Sequence, residues 1–212
     1  MMSLWTVGTE LSALGLLAAS TPLHPILARD HFAATPTYPT PVLLVHGLLG
    51  SPTNFLRLRR VLSARGVGNL ASFSYRPALD HQRLTLQLRD TIEAVCLATG
   101  SDQLDVVGHS LGGVLARYLL EVGDGGRVRR LVTLGAPSLT GRLPDRELAI
   151  FGADDPLVSP PSSACGPRGR VVVIPDCGHW GLLFQHRVLR AVERFLTCST
   201  LASRSLWTSR AA

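Results

Sequence analysis

The chain has 212 residues, 46% hydrophobic and 17% charged, with 21 basic against 15 acidic residues for a net charge of +6, and every base is an arginine. A chain without lysine cannot be a Schiff-base enzyme, a phosphate-loop NTPase of the lysine-bearing kind, a protein kinase or a Ser-Lys dyad hydrolase. The length suits one globular domain, at about 100–200 residues per domain, and no nucleic-acid partner is expected, because the arginines form no cluster interleaved with aromatics.

In chain order, residues 1–40 read as an N-terminal leader or a packed helical extension. The run Leu11–Ala19 (LSALGLLAA) resembles the apolar core of a signal peptide, and Ala18 and Ser20 supply small residues for a cleavage site, but no arginine precedes it and Glu10 abuts it. Export to the cell envelope and a packed helix both stay open. Pro22, His24 and Pro25 interrupt the run well before the ~20 apolar residues that a membrane span needs.

Residues 41–198 alternate short β-branched runs with longer helical patterns, as the βα units of a parallel sheet do. Val42–Val45 (VLLV) is continuously apolar, as a strand buried on both faces should be. Ser51-Pro52 opens a helix that Gly66 closes. Leu70–Tyr75 is the next strand and Leu84–Leu97 the next helix; Leu104–Val107 is a strand and Leu111–Glu121 a helix ending near Gly123. Val128–Leu134, Glu147–Phe151 and Val171–Ile174 complete six strands, and Leu183–Leu196 is the closing helix, striped by Val188, Leu189, Val192 and Leu196. The expected fold is α/β: one domain with an open, mostly parallel six-stranded sheet flanked by helices. Its functional residues should lie just beyond the carboxyl ends of the strands. Residues 199–212 read as a C-terminal tail.

Arg57, Arg59, Arg60 and Arg65 are expected on the solvated face of one helix, and Arg187, Arg190 and Arg194 on that of another. The functional reading of this charge is transient contact with an anionic lipid interface. The four cysteines, Cys96, Cys165, Cys177 and Cys198, have no paired metal-ligand spacing, so no metal is expected; Cys165 and Cys177 could pair as a disulfide in an exported protein or stay separate thiols.

The chemistry starts after the Leu104–Val107 strand, at Gly108-His109-Ser110-Leu111-Gly112 followed by Gly113 and an apolar helix. This is G-x-S-x-G between a strand and a helix, a turn that strains the serine backbone and lifts its hydroxyl to the sheet edge. The backbone N–H of Leu111 then stands at a helix start, where it can stabilise an oxyanion. His46-Gly47-Leu48-Leu49-Gly50 directly follows the VLLV strand, and Leu48 is the candidate for a second donor.

A serine hydroxyl needs a base, normally a histidine oriented by a carboxylate. Of seven histidines, His24, His31 and His81 lie in the leader or a polar loop, His46 and His109 flank the oxyanion segments, and His186 lies inside the last helix. His179, in the loop between the final strand and final helix, sits where the order Ser, acid, His places the base. For the acid, Gly152-Ala153-Asp154-Asp155-Pro156-Leu157-Val158 offers Asp154 and Asp155 after the preceding strand, while Asp176 is too near His179 in the same loop.

Together VLLVHGLLG, GHSLGG, GADDPLV and GHWGLL resemble the α/β-hydrolase superfamily, specifically the small lidless bacterial lipases of the compact Bacillus type, over about residues 40 to 197. The resemblance implies a minimal α/β-hydrolase fold with no lid domain and no cofactor. It maps the nucleophile onto Ser110, the base onto His179 and the oxyanion hole onto Leu48 and Leu111, and it favours Asp155 over Asp154 through the Gly-x-x-Asp-x-x-Val pattern. The chain departs from the family in its longer N-terminal segment and in its arginine-bearing tail. Only about a dozen residues (GAPSLTGRLPDR) separate the Leu134 and Glu147 strands, too few for a helical lid, so the cleft should be open and shallow. Leu48, Leu49, Leu111, Leu157, Trp180 and Leu182 near its mouth would suit an acyl chain. The function implied is a monomeric serine carboxylic-ester hydrolase, lipase or esterase, acting through an acyl-enzyme on Ser110. A thioesterase, amidase or acyltransferase with the same triad is the first alternative, and a non-catalytic binding protein of the same fold the second.

Overall fold

A computed structural model describes residues 3–75, 80–138, 143–159 and 169–198. Cys165, the 199–212 tail and part of the 135–146 connection lie outside the described residues. The chain begins with helix α1 (Leu4–Ser20), a 3-10 turn at Thr21–Leu23 and the short helix α2 (His24–Leu27), then strand β1 (His31–Phe32). There follow β2 (Val42–Val45), α3 (Leu56–Ser63), β3 (Asn69–Phe73), α4 (His81–Thr99), β4 (Leu104–His109), α5 (Leu111–Glu121), β5 (Val128–Leu134), β6 (Glu147–Gly152), β7 (Arg170–Ile174) and α6 (His186–Thr197). Among the described residues no helix is long and apolar enough to cross a membrane.

The strands form one sheet in the order β1-β3-β2-β4-β5-β6-β7, parallel except for β1, which pairs antiparallel with β3. The seventh strand is the departure from the six expected: β1 is two exposed residues with no hydrophobic alternation, and only its pairing of His31 with Leu70 and Phe32 with Asn69 makes it a strand. The sheet grows from β2 outward to β3 and then back across to β4, so the strand order reverses between β2 and β4. Such a switch point leaves a crevice beyond the carboxyl ends of the two strands, and the segments that follow them are His46–Gly50 and Ser110.

The alternation of a strand explains the two-sided core. All four residues of β2 are buried; Leu43 and Val45 pack with Leu88, Ile92, Leu115 and Leu119 of α4 and α5, while Val42 and Leu44 pack with Leu58 and Leu62 of α3 and Val188, Val192 and Leu196 of α6. Truncating any of these leucines to alanine would cost about 2–5 kcal/mol. The last helix starts at His186 rather than Leu183, because Gly181–Leu183 form a 3-10 turn and Gln185 is extended. Arg57, Arg60, Arg65, Arg187, Arg190 and Arg194 are exposed as the sequence suggests, but Arg59 is not. It is 8% exposed, because its guanidinium donates to Arg29 O and Ser72 Oγ and lies 3.6 Å from Asp30.

Residues 4–20 form a helix packed on the domain, along one side of the loops that follow β2, β6 and β7. Ser20 reaches Thr53, Thr6 reaches Asp154, and Glu10 reaches Trp180 and Gly181. The inward face is Thr6, Glu10, Ala13 and Leu17 at helical spacing, and Leu4, Trp5, Leu11 and Leu16 are exposed.

Candidate active site

Ser110 follows β4 and stands at the N-cap of α5 with φ 52° and ψ −123°, a backbone conformation that costs a non-glycine residue of order 1–3 kcal/mol. The turn holds because its glycines permit contacts that no side chain could. A Cβ on Gly112 would lie 2.3 Å from Val45 O, and one on Gly108 2.5 Å from Gly113 N. A Cβ on Gly47 would stand 3.0 Å from that of Ser110, so the loop after β2 lies directly against the serine. Among the described residues neither the Leu48 nor the Leu111 N–H donates a backbone hydrogen bond. Leu49, at φ 57°, turns the loop back on itself, closed by Gly50 N–H to Gly47 O.

The loops after β6 and β7 bring Asp155 and His179 together. His179 Nδ1 lies 2.7 Å from Asp155 Oδ2, and both side chains are buried. The other oxygen, Asp155 Oδ1, accepts the N–H groups of Leu157 and Val158 at 2.8 and 2.9 Å. Asp154 points elsewhere and takes the Thr6 hydroxyl at 2.8 Å. Asp176 is exposed and its side chain does not join the site. A Cβ on Gly135, at the end of β5, would be 3.0 Å from His179 Nδ1, so the imidazole rests on that backbone.

Three supporting side chains went unassigned in the sequence. His109 is fully buried, and burial followed by repulsion from His179 pushes its pKa down to about 3. Its Nε2, 3.2 Å from His179 O, is therefore the protonated nitrogen and donates to that carbonyl; Nδ1 is left buried without a partner. His46 stacks on Tyr75 at 4.5 Å, and the Tyr75 hydroxyl donates to His46 O. Burial lowers the His46 pKa, so this ring too is a neutral wall of the Leu48 loop. The third is Glu10, on α1. The only sequence signal for any of them was position: His46 and His109 adjoin the motifs, whereas nothing in the pattern ties Glu10 to His179.

At the mouth Leu48, Leu49 and Leu157 are exposed, and Trp180 and Leu111 are half-buried. Leu182 is not a mouth residue: it is 0% exposed and belongs to the core shared with α6. Among the described residues no group of three His, Cys, Asp or Glu side chains is placed to hold a metal ion. Cys177 is a buried thiol whose pKa burial raises to about 12.

A parallel sheet with a strained strand-to-helix turn at its switch point, and a carboxylate-bound histidine on the loop after its last strand, is the architecture of the α/β-hydrolase fold. The alpha/beta hydrolase fold family matches residues 40–149, and the chain belongs to that family. A triacylglycerol lipase from Burkholderia plantarii is 32% identical over 135 residues, which cover 59% of this chain and 36% of the lipase, so the chain spans about a third of that relative. The solved structure of the mature Bacillus licheniformis lipase BlEst2 matches with a TM-score of 0.65 at 15% identity, covering 80% of this chain and 96% of that one. Est1E from Butyrivibrio proteoclasticus matches with a TM-score of 0.60 at 16% identity, covering 79% and 90%. At these identities the two structures show the fold.

Proposed function

We propose that the protein is a serine hydrolase of carboxylic esters, with Ser110 as nucleophile, His179 as base and Asp155 as the acid that orients it. The observation that carries this reading is the buried 2.7 Å contact between His179 Nδ1 and Asp155, with the His179 ring 4.8 Å from that of His109, the residue before a serine held on a strained turn. With Nδ1–H bound to the carboxylate, Nε2 is the basic nitrogen. It takes the Ser110 proton as Oγ attacks the ester carbonyl, and the tetrahedral oxyanion is received by the N–H groups of Leu48 and Leu111. Collapse expels the alcohol, which takes the proton from Nε2; water, deprotonated by the same nitrogen, then cleaves the acyl-enzyme. The Ser110 to His179 hydrogen bond forms as substrate enters, as apo sites commonly allow.

The exposed leucines 48, 49 and 157 favour an acyl chain over a polar amide, and the named lipase relative points the same way. Hydrolysis of p-nitrophenyl esters from short to long chain, by wild type and Ser110→Ala, tests the reading. The wild type should hydrolyse them and the variant should lose at least about 10³-fold; an inert wild type, or an active variant, overturns it. Contact with a lipid interface would run through the apolar exterior of α1, and replacing Leu4, Trp5 and Leu11 by serine should then abolish co-sedimentation with anionic vesicles.

A further inference from the structure

Helix α1 is packed inside out. Its one charged residue, Glu10, is 5% exposed, while Leu4, Trp5, Leu11 and Leu16 face outward. Apolar burial alone would dock such a helix by its leucines, and a carboxylate is buried only where polar partners replace water. Those partners belong to the loop that carries His179. Glu10 Oε2 accepts the Trp180 N–H at 2.9 Å and Oε1 accepts the Gly181 N–H at 2.7 Å. The loop is shaped to admit the carboxylate: a Cβ on Gly178 would fall 2.5 Å from Glu10 Cδ, and one on Gly181 2.7 Å from Oε1.

The peptide unit between His179 and Trp180 is thus gripped at both ends. Its carbonyl accepts from His109 Nε2 and its N–H donates to Glu10. One helical turn before Glu10, Thr6 donates to Asp154, the neighbour of the acid. The same helix therefore holds the side chain of Asp154, the neighbour of Asp155, and the backbone that follows His179. Among the described residues the imidazole itself is hydrogen-bonded through Nδ1 to Asp155 alone.

We propose that Glu10 is a positioning residue for His179, and that helix α1 is for this reason a working part of the catalytic apparatus. The proposal rests on the reading of His179 as the base. Glu10 touches no substrate; it acts by fixing the peptide that follows the base, so that Nε2 stays aimed at Ser110.

The test compares Glu10→Ala, Glu10→Gln and Ser12→Ala, which alters the exposed side of the same helix, with Ser110→Ala in parallel. Folding is checked by circular dichroism, and kcat and KM are measured on one p-nitrophenyl ester. Displacing a catalytic group by about 1 Å can cost on the order of 10²-fold, so Glu10→Ala should lower kcat roughly 10- to 100-fold with KM nearly unchanged, and Ser12→Ala should match the wild type. The low-field proton resonance of the His179 to Asp155 hydrogen bond should broaden or vanish in Glu10→Ala. Sodium formate, a carboxylate small enough for the vacated slot, should restore activity to Glu10→Ala beyond an equal concentration of sodium chloride, but not to Glu10→Gln, whose side chain still fills the slot. Glu10→Gln is isosteric and decides the matter if the alanine variant does not fold. If Ser110→Ala is dead while the folded Glu10 variants keep wild-type kcat and the low-field resonance, the positioning role is overturned and the serine-hydrolase reading survives. If Ser110→Ala is active, the reading on which the proposal rests falls, and the proposal with it.

Discussion

Replacing Asp155 by Asn tests the triad at its most sharply defined contact. Asp155 Oδ1 accepts two backbone N–H groups, at 2.8 and 2.9 Å, and an amide oxygen in that place keeps both. The loop therefore holds the amide in one orientation and puts its NH2 group where Oδ2 met His179 Nδ1 at 2.7 Å. Two donors cannot face each other across that gap, so the imidazole moves its proton to Nε2, the nitrogen that must accept the serine proton. A wrong-tautomer substitution of this kind costs about 10⁴ in kcat, or about 5.5 kcal/mol of barrier. The fold changes little, because two of the three hydrogen bonds remain. Asp154→Asn, by contrast, disturbs only the Thr6 contact, which an amide oxygen can also accept; its kcat should stay within about threefold, since a partly exposed polar contact contributes only about 0.5–1.5 kcal/mol to stability. Steady-state hydrolysis of a p-nitrophenyl ester by the two variants, with melting curves for each, is the assay. An Asp155→Asn enzyme within tenfold of wild type, or an Asp154→Asn enzyme that loses more, would refute the assignment.

Two further outcomes follow from buried charge. Arg117 and Glu147 form a two-pronged pair at 2.6 and 3.0 Å with exposures of 2% and 0%, and Thr133 Oγ1 also donates to the carboxylate. Arg117→Met leaves Glu147 uncompensated and should destabilise the protein by about 3–5 kcal/mol, read as a lowered melting temperature. His109 has a folded pKa near 3, below its ordinary value of 6.5. As pH falls through that window the unfolded chain takes up a proton that the native state refuses, so stability is lost from about pH 6.5 downward, by roughly 3 kcal/mol on reaching pH 4. The difference in unfolding free energy between wild type and His109→Gln, followed from pH 7 to 4, should carry that slope; a pH-independent difference contradicts the buried neutral ring.

The parts of the fold written in local pattern were legible before the structure. Val42–Val45 is apolar on both faces, and Val128–Leu134 and Leu111–Glu121 have the observed bounds, because burial period and strand-to-helix punctuation are properties of neighbouring residues. Strand β1 was not legible, since His31 and Phe32 are exposed and become a strand only by pairing with β3. The same division runs through the site. Ser110, His179 and the pair Asp154 and Asp155 could be picked out by their places after strands. Which aspartate faces the histidine depends on loop closure across β6 and β7; the sequence favoured Asp155 only through the resemblance carried by Gly-x-x-Asp-x-x-Val, and the contact itself is seen in the structure. In the sequence Glu10 only abuts an apolar run that fits a leader or a packed helix equally, whereas its partners, the Trp180 and Gly181 N–H groups, lie 170 residues further along the chain.

The absence of lysine has a structural counterpart in how the arginines are used. At the amino ends of the strands Arg129 binds Asp105 through two nitrogens, while Arg130 donates to the carbonyls of Phe195, Leu196 and Cys198 at the end of α6. Arg117 holds Ala136 O and Pro137 O as well as Glu147, and Arg59 bridges Arg29 O and Ser72. Each of these needs several donors in one fixed plane, which a guanidinium has and an ammonium does not. The carboxylates of the candidate site are held differently: Asp155 and Glu10 each accept two backbone N–H groups, and among the described residues Asp155 pairs with no arginine but with the His179 ring. A guanidinium on Asp155 would draw its charge away from the imidazole. Backbone donors orient the carboxylate without bringing a competing full charge, so under the proposed mechanism its field stays available for the imidazolium that would form when Ser110 gives up its proton.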